Sequence, residues 1–382
     1  MSASVLCQDF RPRVYDPADP GPLHVLPHSL GESYNQYAGT ENMLRQLGEQ
    51  RDALVLMFEG RGPAGWWHDE AEFDLFEAWA DFRSRYEYDE DRVTLGGYSM
   101  GGYATYRLGS LYPDLFAKGF AVVGPPDEDP LGGPTDGTAD SEHNALGVTD
   151  NLRHVPLLMW NGANDELVPL PGPLNYAQDL REHGYRHQID VFPGYDHFLF
   201  FLLDEWGPGK AFLDGEYLGE PVVTRAPAHV TYRAVPAMGN ERFGLVHDGA
   251  YWIAEIDVAD GATEGLVDAV SHAQGEADPV AVDYEREGTE PSPHTERGTR
   301  WAEPLLDPAP RNALSLDLTD VDSVTVWVEE AGIDASRPID LAVATTTETT
   351  VRLATPEGVR ELTVPEGEHE TTVSACGAAG AP

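Results

Sequence analysis

The chain has 382 residues, of which 41% are hydrophobic, and this content excludes a wholly disordered polypeptide. Sixty-six acidic residues against 24 basic ones give a net charge of −42 at pH 7, and only Lys118 and Lys210 are lysines. Such a charge makes nucleic acids and anionic membrane surfaces poor partners. The lack of any apolar run of about 18 residues predicts no membrane-spanning segment.

The charge also indicates the conditions under which the chain is stable. Like charges repel across a Debye length of about 10 Å at 0.1 M salt but only about 3 Å at 1 M. The composition resembles that of proteins from salt-loving organisms, so we expect stability to rise with salt. Because the first ten residues lack the pattern of a signal peptide, we expect a cytoplasmic protein, or an exported one whose signal has been removed. Cys7 and Cys376 are expected to be free thiols, although they could join the two termini.

From residue 23 to about 205, short apolar runs alternate with helical periodicity. This alternation predicts a mostly parallel sheet with helices on both faces, the α/β class. The predicted strands span residues 23–26, 53–58, 92–96, 119–123, 155–161 and 188–192. A helix between the second and third strands is indicated by an apolar stripe at Leu75, Trp79, Phe82 and Tyr86. Residues 124–150, rich in Pro, Gly and Asp, predict a long loop over the sheet that serves as a lid or a substrate-binding insertion.

Beyond residues 206–228, where glycines and prolines break the pattern, the apolar period changes to two. Short alternating strands without helices predict an antiparallel β-sandwich, with residues 274–300 as a polar, irregular loop. The predicted organisation is a catalytic domain over 1–218, a linker over 219–229 and a sandwich over 230–382. A chain ending near residue 222 is therefore expected to retain every proposed site residue.

The segment Gly97-Tyr98-Ser99-Met100-Gly101 follows a predicted strand and precedes a predicted helix. G-x-S-x-G in this setting predicts a nucleophile elbow, a sharp turn that holds Ser99 in a strained conformation and exposes its hydroxyl. The glycines leave room for neighbouring backbone. The helix start offers N–H groups and a positive dipole end to a developing oxyanion. Ser99 is the predicted nucleophile.

A serine hydroxyl needs a base, and the base needs an orienting acid. In this type of fold the chain order is Ser, then Asp or Glu, then His. Asp165 and His197 each follow a predicted strand, at the edge where open α/β sheets place their sites. Asp165 is thus the predicted acid and His197 the predicted base. Glu166 and Asp196 are the rival acids, and Asp196 is expected to point away from the neighbouring histidine.

The predicted oxyanion donors are the backbone N–H groups of Met100, directly after the nucleophile, and of Leu30, in the loop after the first strand. That loop usually reads His-Gly-x-Gly, but here Ser29 follows His28, which is expected to fix the loop. The thirteen histidines form no metal-ligand pattern in the sequence, and no phosphate-binding glycine loop is present. We therefore expect neither a metal nor another cofactor.

The run 92–103, with Asp165 and His197 in their settings, resembles the prolyl-oligopeptidase-like and polyhydroxybutyrate-depolymerase-like esterases of the α/β-hydrolase superfamily. The resemblance covers about residues 12–205 and implies an α/β-hydrolase fold. No N-terminal β-propeller of the prolyl oligopeptidases is present in this sequence, which favours an esterase. The second half is similar to domains appended to secreted actinobacterial hydrolases.

We expect a carboxylic-ester hydrolase that acts through an acyl-enzyme on a small-molecule or polymeric ester. One alternative is a serine peptidase with the same machinery. Another is a binding or scaffold protein in which the hydrolase half is a relict. The sequence does not indicate the oligomeric state.

Overall fold

The structure is a computed structural model, and it describes residues 7–12, 15–127 and 142–374. The chain divides into two compact units. The first comprises Met1–Val223, Asn240–Leu245 and Ala281–Trp301, and the second comprises Thr224–Gly239, Val246–Val280 and Ala302–Pro382. Two short segments beyond residue 230 therefore group with the first unit rather than with the predicted sandwich domain.

The first unit is built on a nine-stranded sheet. Its strands, numbered along the whole chain, are β1 Cys7–Phe10, β2 Leu23–Val25, β3 Leu54–Phe58, β4 Val93–Tyr98, β5 Lys118–Val122, β6 Leu157–Gly162, β7 His187–Phe192, β11 Val280–Gly288 and β12 His294–Ala302. Their order is β1-β3-β2-β4-β5-β6-β7-β12-β11. In this order, neighbouring strands from β3 through β7 pair parallel. Strand β1 pairs antiparallel with β3, and β12 pairs antiparallel with β7. All six predicted strands are confirmed, with shifts of one or two residues at their ends.

Helices cover both faces of this sheet. They are α1 Glu41–Leu47, α2 Glu70–Arg83, α3 Met100–Leu111, α4 Pro171–Glu182, α5 Leu199–Leu203 and α6 Gly207–Leu213, together with 3-10 turns that include Ala145–His154. Alternate residues of β3 enter separate cores: Leu54 and Leu56 join one, and Val55 and Met57 join the other. This burial on both faces explains why the parallel strands read as continuous apolar runs. The predicted stripe lies on α2, except that Tyr86 follows the end of the helix.

The predicted irregular loop over residues 274–300 is wrong, because this segment contains all of β11 and most of β12. β12 pairs with β7 in register from Thr295 opposite Val191 to Thr299 opposite His187. Strand β11, at the edge of the sheet, exposes most of its side chains and therefore carries no apolar alternation. A chain ending near residue 222 keeps the site residues but loses two strands of their sheet.

The second unit contains two sheets. Its strands are β8 His229–Ala234, β9 Ile253–Val258, β10 Gly265–Ser271, β13 Ala313–Thr319, β14 Val321–Trp327, β15 Ile339–Thr345, β16 Thr349–Thr355, β17 Gly358–Val364 and β18 Gly367–Val373. The sheet orders are β18-β15-β13-β10-β8 and β17-β16-β14-β9, and both sheets contribute to one hydrophobic core. The expectation of wholly antiparallel pairing is wrong, since β13 pairs parallel with β15 and β14 with β16. Each pair is parallel because the chain crosses to the other sheet between its two strands.

Among the described residues, no helix is both long and apolar enough to cross a membrane. Cys7 lies half-buried in β1 as a free thiol, and burial raises its pKa. Its possible partner Cys376 lies outside the described residues, as does most of the predicted loop over 124–150.

Candidate active site

Ser99 lies at the sharp turn between β4 and α3. Its backbone angles, φ 57° and ψ −116°, lie outside the regions that side-chain-bearing residues normally occupy. A Cβ atom on Gly97 would lie 2.5 Å from the carbonyl oxygen of Gly101, and one on Gly101 would lie 2.2 Å from that of Pro27. Both glycines are therefore required by close backbone approach. The Ser99 N–H donates a hydrogen bond of 2.8 Å to the carbonyl of Val122, the last residue of the neighbouring strand β5.

The structure brings Ser99, His197 and Asp165 together from three separate loops. His197 Nε2 lies 2.9 Å from Ser99 Oγ, and His197 Nδ1 lies 2.8 Å from Asp165 Oδ2. The Asp165 side chain is fully buried, and its Oδ1 accepts hydrogen bonds from the backbone N–H groups of Leu167 and Val168. These bonds orient the carboxylate so that Oδ2 accepts the Nδ1 proton. The lone pair of Nε2 then faces the serine hydroxyl.

The rival acids have other positions. Asp196 Oδ1 accepts hydrogen bonds from the N–H groups of Phe198 and Leu199, so this exposed carboxylate caps the start of α5. Glu166 is also exposed.

Tyr98, which the sequence analysis did not identify as a site residue, supports the histidine loop. Its hydroxyl donates a hydrogen bond to the carbonyl oxygen of His197. Burial raises the pKa of Tyr98 far above its ordinary value, which keeps the hydroxyl a donor. The sequence feature that could have indicated this role is the position of Tyr98 directly before Ser99 in the elbow.

The loop that carries Leu30 is held by side chains. Ser29 Oγ donates to the carbonyl of Tyr98 at 2.9 Å, and Gln36 bonds both the N–H and the hydroxyl of Ser29. The ring nitrogens of His28 lie 2.8 and 2.9 Å from the carbonyl oxygens of Ser29 and Glu59. Ser29, which replaces the glycine of the usual loop, thus ties this loop to the strand before Ser99. Gln36 is a second supporting residue that the sequence analysis missed.

A cavity of about 230 Å³ opens at Ser99 and His197. Most of its wall is apolar, formed by Leu30, Trp66, Leu167, Val168, Phe198 and Phe201. Among the described residues of the lining, Glu32 is the one acidic side chain. Phe198 is 59% exposed, so the rim is apolar as well.

The sheet order and the turn at Ser99 are those of an α/β-hydrolase fold. No protein-family model matches the chain, and neither does any curated protein. Solved structures of serine hydrolases resemble it. FphF, a fluorophosphonate-binding serine hydrolase of Staphylococcus aureus, is 16% identical, with a TM-score of 0.44 over 55% of this chain and 98% of its own.

Two further structures illustrate the range of similar enzymes. A ferulic acid esterase is 18% identical, with a TM-score of 0.42 over 54% of this chain and 92% of its own. An acylaminoacyl peptidase of Pyrococcus horikoshii is 17% identical, with a TM-score of 0.42 over 53% of this chain and 37% of its own. Because these TM-scores are below 0.5, the fold assignment rests on the topology of the chain itself.

The arrangement has the parts that nucleophilic acyl transfer requires. A hydroxyl lies beside the lone pair of an imidazole, and the imidazole is oriented by a buried carboxylate. Met100 begins α3 directly after the nucleophile, and Leu30 lines the same cavity.

Proposed function

We propose that the chain is a serine hydrolase that cleaves carboxylic esters through an acyl-enzyme on Ser99. One observation carries this proposal: the hydrogen-bonded series from Asp165 through His197 to Ser99, with distances of 2.8 and 2.9 Å. The strained turn at Ser99 supports it, because such strain persists where the surrounding structure maintains it and occurs preferentially at functional sites.

In the first half of the reaction, Ser99 Oγ bonds to the ester carbonyl carbon while His197 Nε2 accepts its proton. The carbonyl oxygen becomes an oxyanion, which the backbone N–H groups of Met100 and Leu30 are proposed to stabilise. The Asp165 carboxylate stabilises the imidazolium through Nδ1. When the carbon–oxygen bond to the alcohol breaks, Nε2–H gives the proton to the departing oxygen, and the acyl group remains on Ser99.

In the second half, His197 Nε2 removes a proton from water as the water oxygen bonds to the acyl carbon. The same N–H groups stabilise the second oxyanion. Collapse of this intermediate breaks the bond to Ser99 Oγ, which recovers the proton from Nε2–H. The carboxylic acid leaves, and the site returns to its starting state.

The wall of the cavity favours esters over internal peptide bonds. Amide hydrolysis requires protonation of a leaving amine, and binding energy from remote polar contacts along the peptide usually supports that step. Here the lining is mainly apolar, and two of its polar residues, Ser29 and Gln36, are hydrogen-bonded to each other. A compact apolar acyl group fits a space of about 230 Å³ of this character.

The test compares p-nitrophenyl esters with p-nitroanilides of the same acyl groups, for the wild type and for Ser99→Ala. We expect ester turnover, a kcat/KM for the matched amide at least about 100-fold lower, and a loss of at least about 10⁴-fold in Ser99→Ala. Circular dichroism controls for folding. Equal or faster amide cleavage would replace the esterase by a peptidase. A folded wild type inactive on both series would favour the binding or scaffold alternative.

A further inference from the structure

A second group of side chains with metal-binding chemistry lies in the first unit, outside the serine site. His68 and Asp69 directly precede α2, and His143 lies just before the 3-10 turn Ala145–His154. All three residues are half-buried. His143 follows Asp69 by 74 positions along the chain (143 − 69), so the fold alone brings it to the other two residues.

The geometry of this group is compact. The rings of His68 and His143 stack with centroids 4.0 Å apart and planes 7° from parallel. His68 Nδ1 lies 2.7 Å from Asp69 Oδ2. One nitrogen from each ring and one oxygen of Asp69 all lie within 4.8 Å of one another.

We propose that His68, Asp69 and His143 bind one divalent transition-metal ion, with zinc as the preferred ion and a fourth position open to water. Two imidazoles and one carboxylate form a donor set that zinc accepts. Zinc would take the place of the proton between His68 Nδ1 and Asp69 Oδ2, and this proton would move to Nε2 of a neutral ring or, from an imidazolium, to solvent. With metal–ligand distances of about 2.0–2.2 Å, the donors of a tetrahedral site lie about 3.4 Å apart. His68 Nδ1 and Asp69 Oδ2 must therefore separate slightly, and the two stacked rings must rotate until both lone pairs point to the ion.

The surroundings of the group connect it to the wall of the catalytic cavity. Trp66, two residues before His68, lines that cavity. The hydroxyl of Tyr103, one turn into α3 from Ser99, donates to the carbonyl of His143. The ring of Tyr103 also packs edge-on against Trp66, with centroids 5.5 Å apart. An ion at this site would cross-link His143 to the segment that carries both His68 and the wall residue Trp66. This structural role is distinct from the acyl chemistry.

The test is a zinc titration of the full-length chain after removal of metals with EDTA, against a chromophoric chelator of known affinity. We expect one tight site per chain, weakened at least about 100-fold in both His68→Gln and His143→Gln. The control is His369→Gln, because His369 on β18 lies between Glu368 and Glu370 in the sequence. It tests whether any histidine next to acidic residues contributes to zinc binding, and its zinc affinity should equal that of the wild type. Ser99→Ala should bind zinc like the wild type, which separates this result from the proposed hydrolase activity.

A second readout covers the case in which a glutamine variant fails to fold. Asp69→Asn preserves side-chain shape but removes the negative ligand, so its zinc affinity should also fall. Cobalt(II) bound to the wild type should give the strong visible bands of a tetrahedral site, and these should be absent in folded Asp69→Asn. Absence of a tight site in the wild type, or equal zinc binding in all folded variants, would overturn the proposal.

Discussion

Two helices of the first unit begin at residues with nearly the same unusual backbone. Ser99, before α3, has φ 57° and ψ −116°, and Asp69, before α2, has φ 51° and ψ −118°. Each such residue costs of order 1–3 kcal/mol in the folded state. The two turns differ in what maintains this conformation.

The turn at Ser99 is maintained by backbone packing, since Gly97 and Gly101 lie too close to neighbouring carbonyl groups for any side chain. The turn at Asp69 is maintained by its own carboxylate, which accepts hydrogen bonds from Asn240 and His68. The first arrangement leaves the Ser99 side chain available for chemistry. In the turn at Asp69, the carboxylate itself holds the backbone conformation. Asp69 can therefore bind a metal ion only if the ion replaces one of these two hydrogen bonds.

The largest effect is expected from the acid that supports the Ser99 site. Asp165→Asn should lower kcat for a p-nitrophenyl ester by about 10⁴-fold, because an amide at this position favours the wrong histidine tautomer. Asp196→Asn is the matched control: asparagine also caps a helix, so kcat should change by no more than a few-fold. Comparable losses in the two variants, both folded, would contradict the assignment of Asp165.

The next effect is expected from the packing of the Ser99 turn. In Gly101→Ala, the new methyl group would lie 2.2 Å from the Pro27 carbonyl, so the loop that carries Leu30 must move. We expect the free energy of unfolding to fall by about 1–3 kcal/mol, together with a loss of ester hydrolysis. Gly39→Ala, with no neighbouring atom within 4 Å, should change stability by less than about 0.5 kcal/mol. Denaturant unfolding measures both variants, and equal stabilities would refute the packing argument.

A smaller effect is expected from the hydrogen bond at the Asp69 turn. Asn240→Ala removes the donor to Asp69 Oδ1 and should lower the free energy of unfolding by about 1 kcal/mol, because Asp69 is partly exposed. Asn240→Asp places a second carboxylate there and should destabilise the chain more than alanine does. Ester kcat should stay within a few-fold of wild type in both. The opposite ranking of the two variants would show that this bond does not hold the turn.

The variants of the two turns are expected to differ least in how their Tm responds to salt. Raising KCl from about 0.1 to 2 M should raise the Tm of the wild type, because screening relieves repulsion arising from the net charge of −42. Gly101→Ala and Asn240→Ala should both gain Tm in parallel with the wild type, since neither changes the net charge. A flat or falling wild-type Tm would contradict the salt-loving interpretation of the composition.

The strands of the first unit and the turn at Ser99 could be predicted because their causes are local. A parallel strand that is buried on both faces appears in the sequence as a continuous apolar run. The close backbone packing at Gly97 and Gly101 excludes a side chain, so the sequence has glycine at both positions. Chain order then selected Asp165 and His197 from a larger set of acids and histidines.

The remaining features depend on contacts between distant segments. The turn at Asp69 has no glycine beside it, because side-chain hydrogen bonds maintain it. His143 reaches His68 only through the fold. Strand β11 has a polar sequence because it lies exposed at the edge of its sheet. On β13 and β15, the alternation of apolar and polar residues indicates which face is buried, but it does not indicate whether the two strands pair parallel or antiparallel.

The most direct test of the central claim is the mass of the intact chain after reaction with a fluorophosphonate, followed by peptide mapping. This reagent forms a covalent bond with a serine oxygen activated by a neighbouring base. We predict one adduct per chain, located on Ser99, with no adduct on folded Ser99→Ala. A folded wild type that remains unmodified, or an adduct on another serine such as Ser29, would contradict the assignment of Ser99 as the nucleophile.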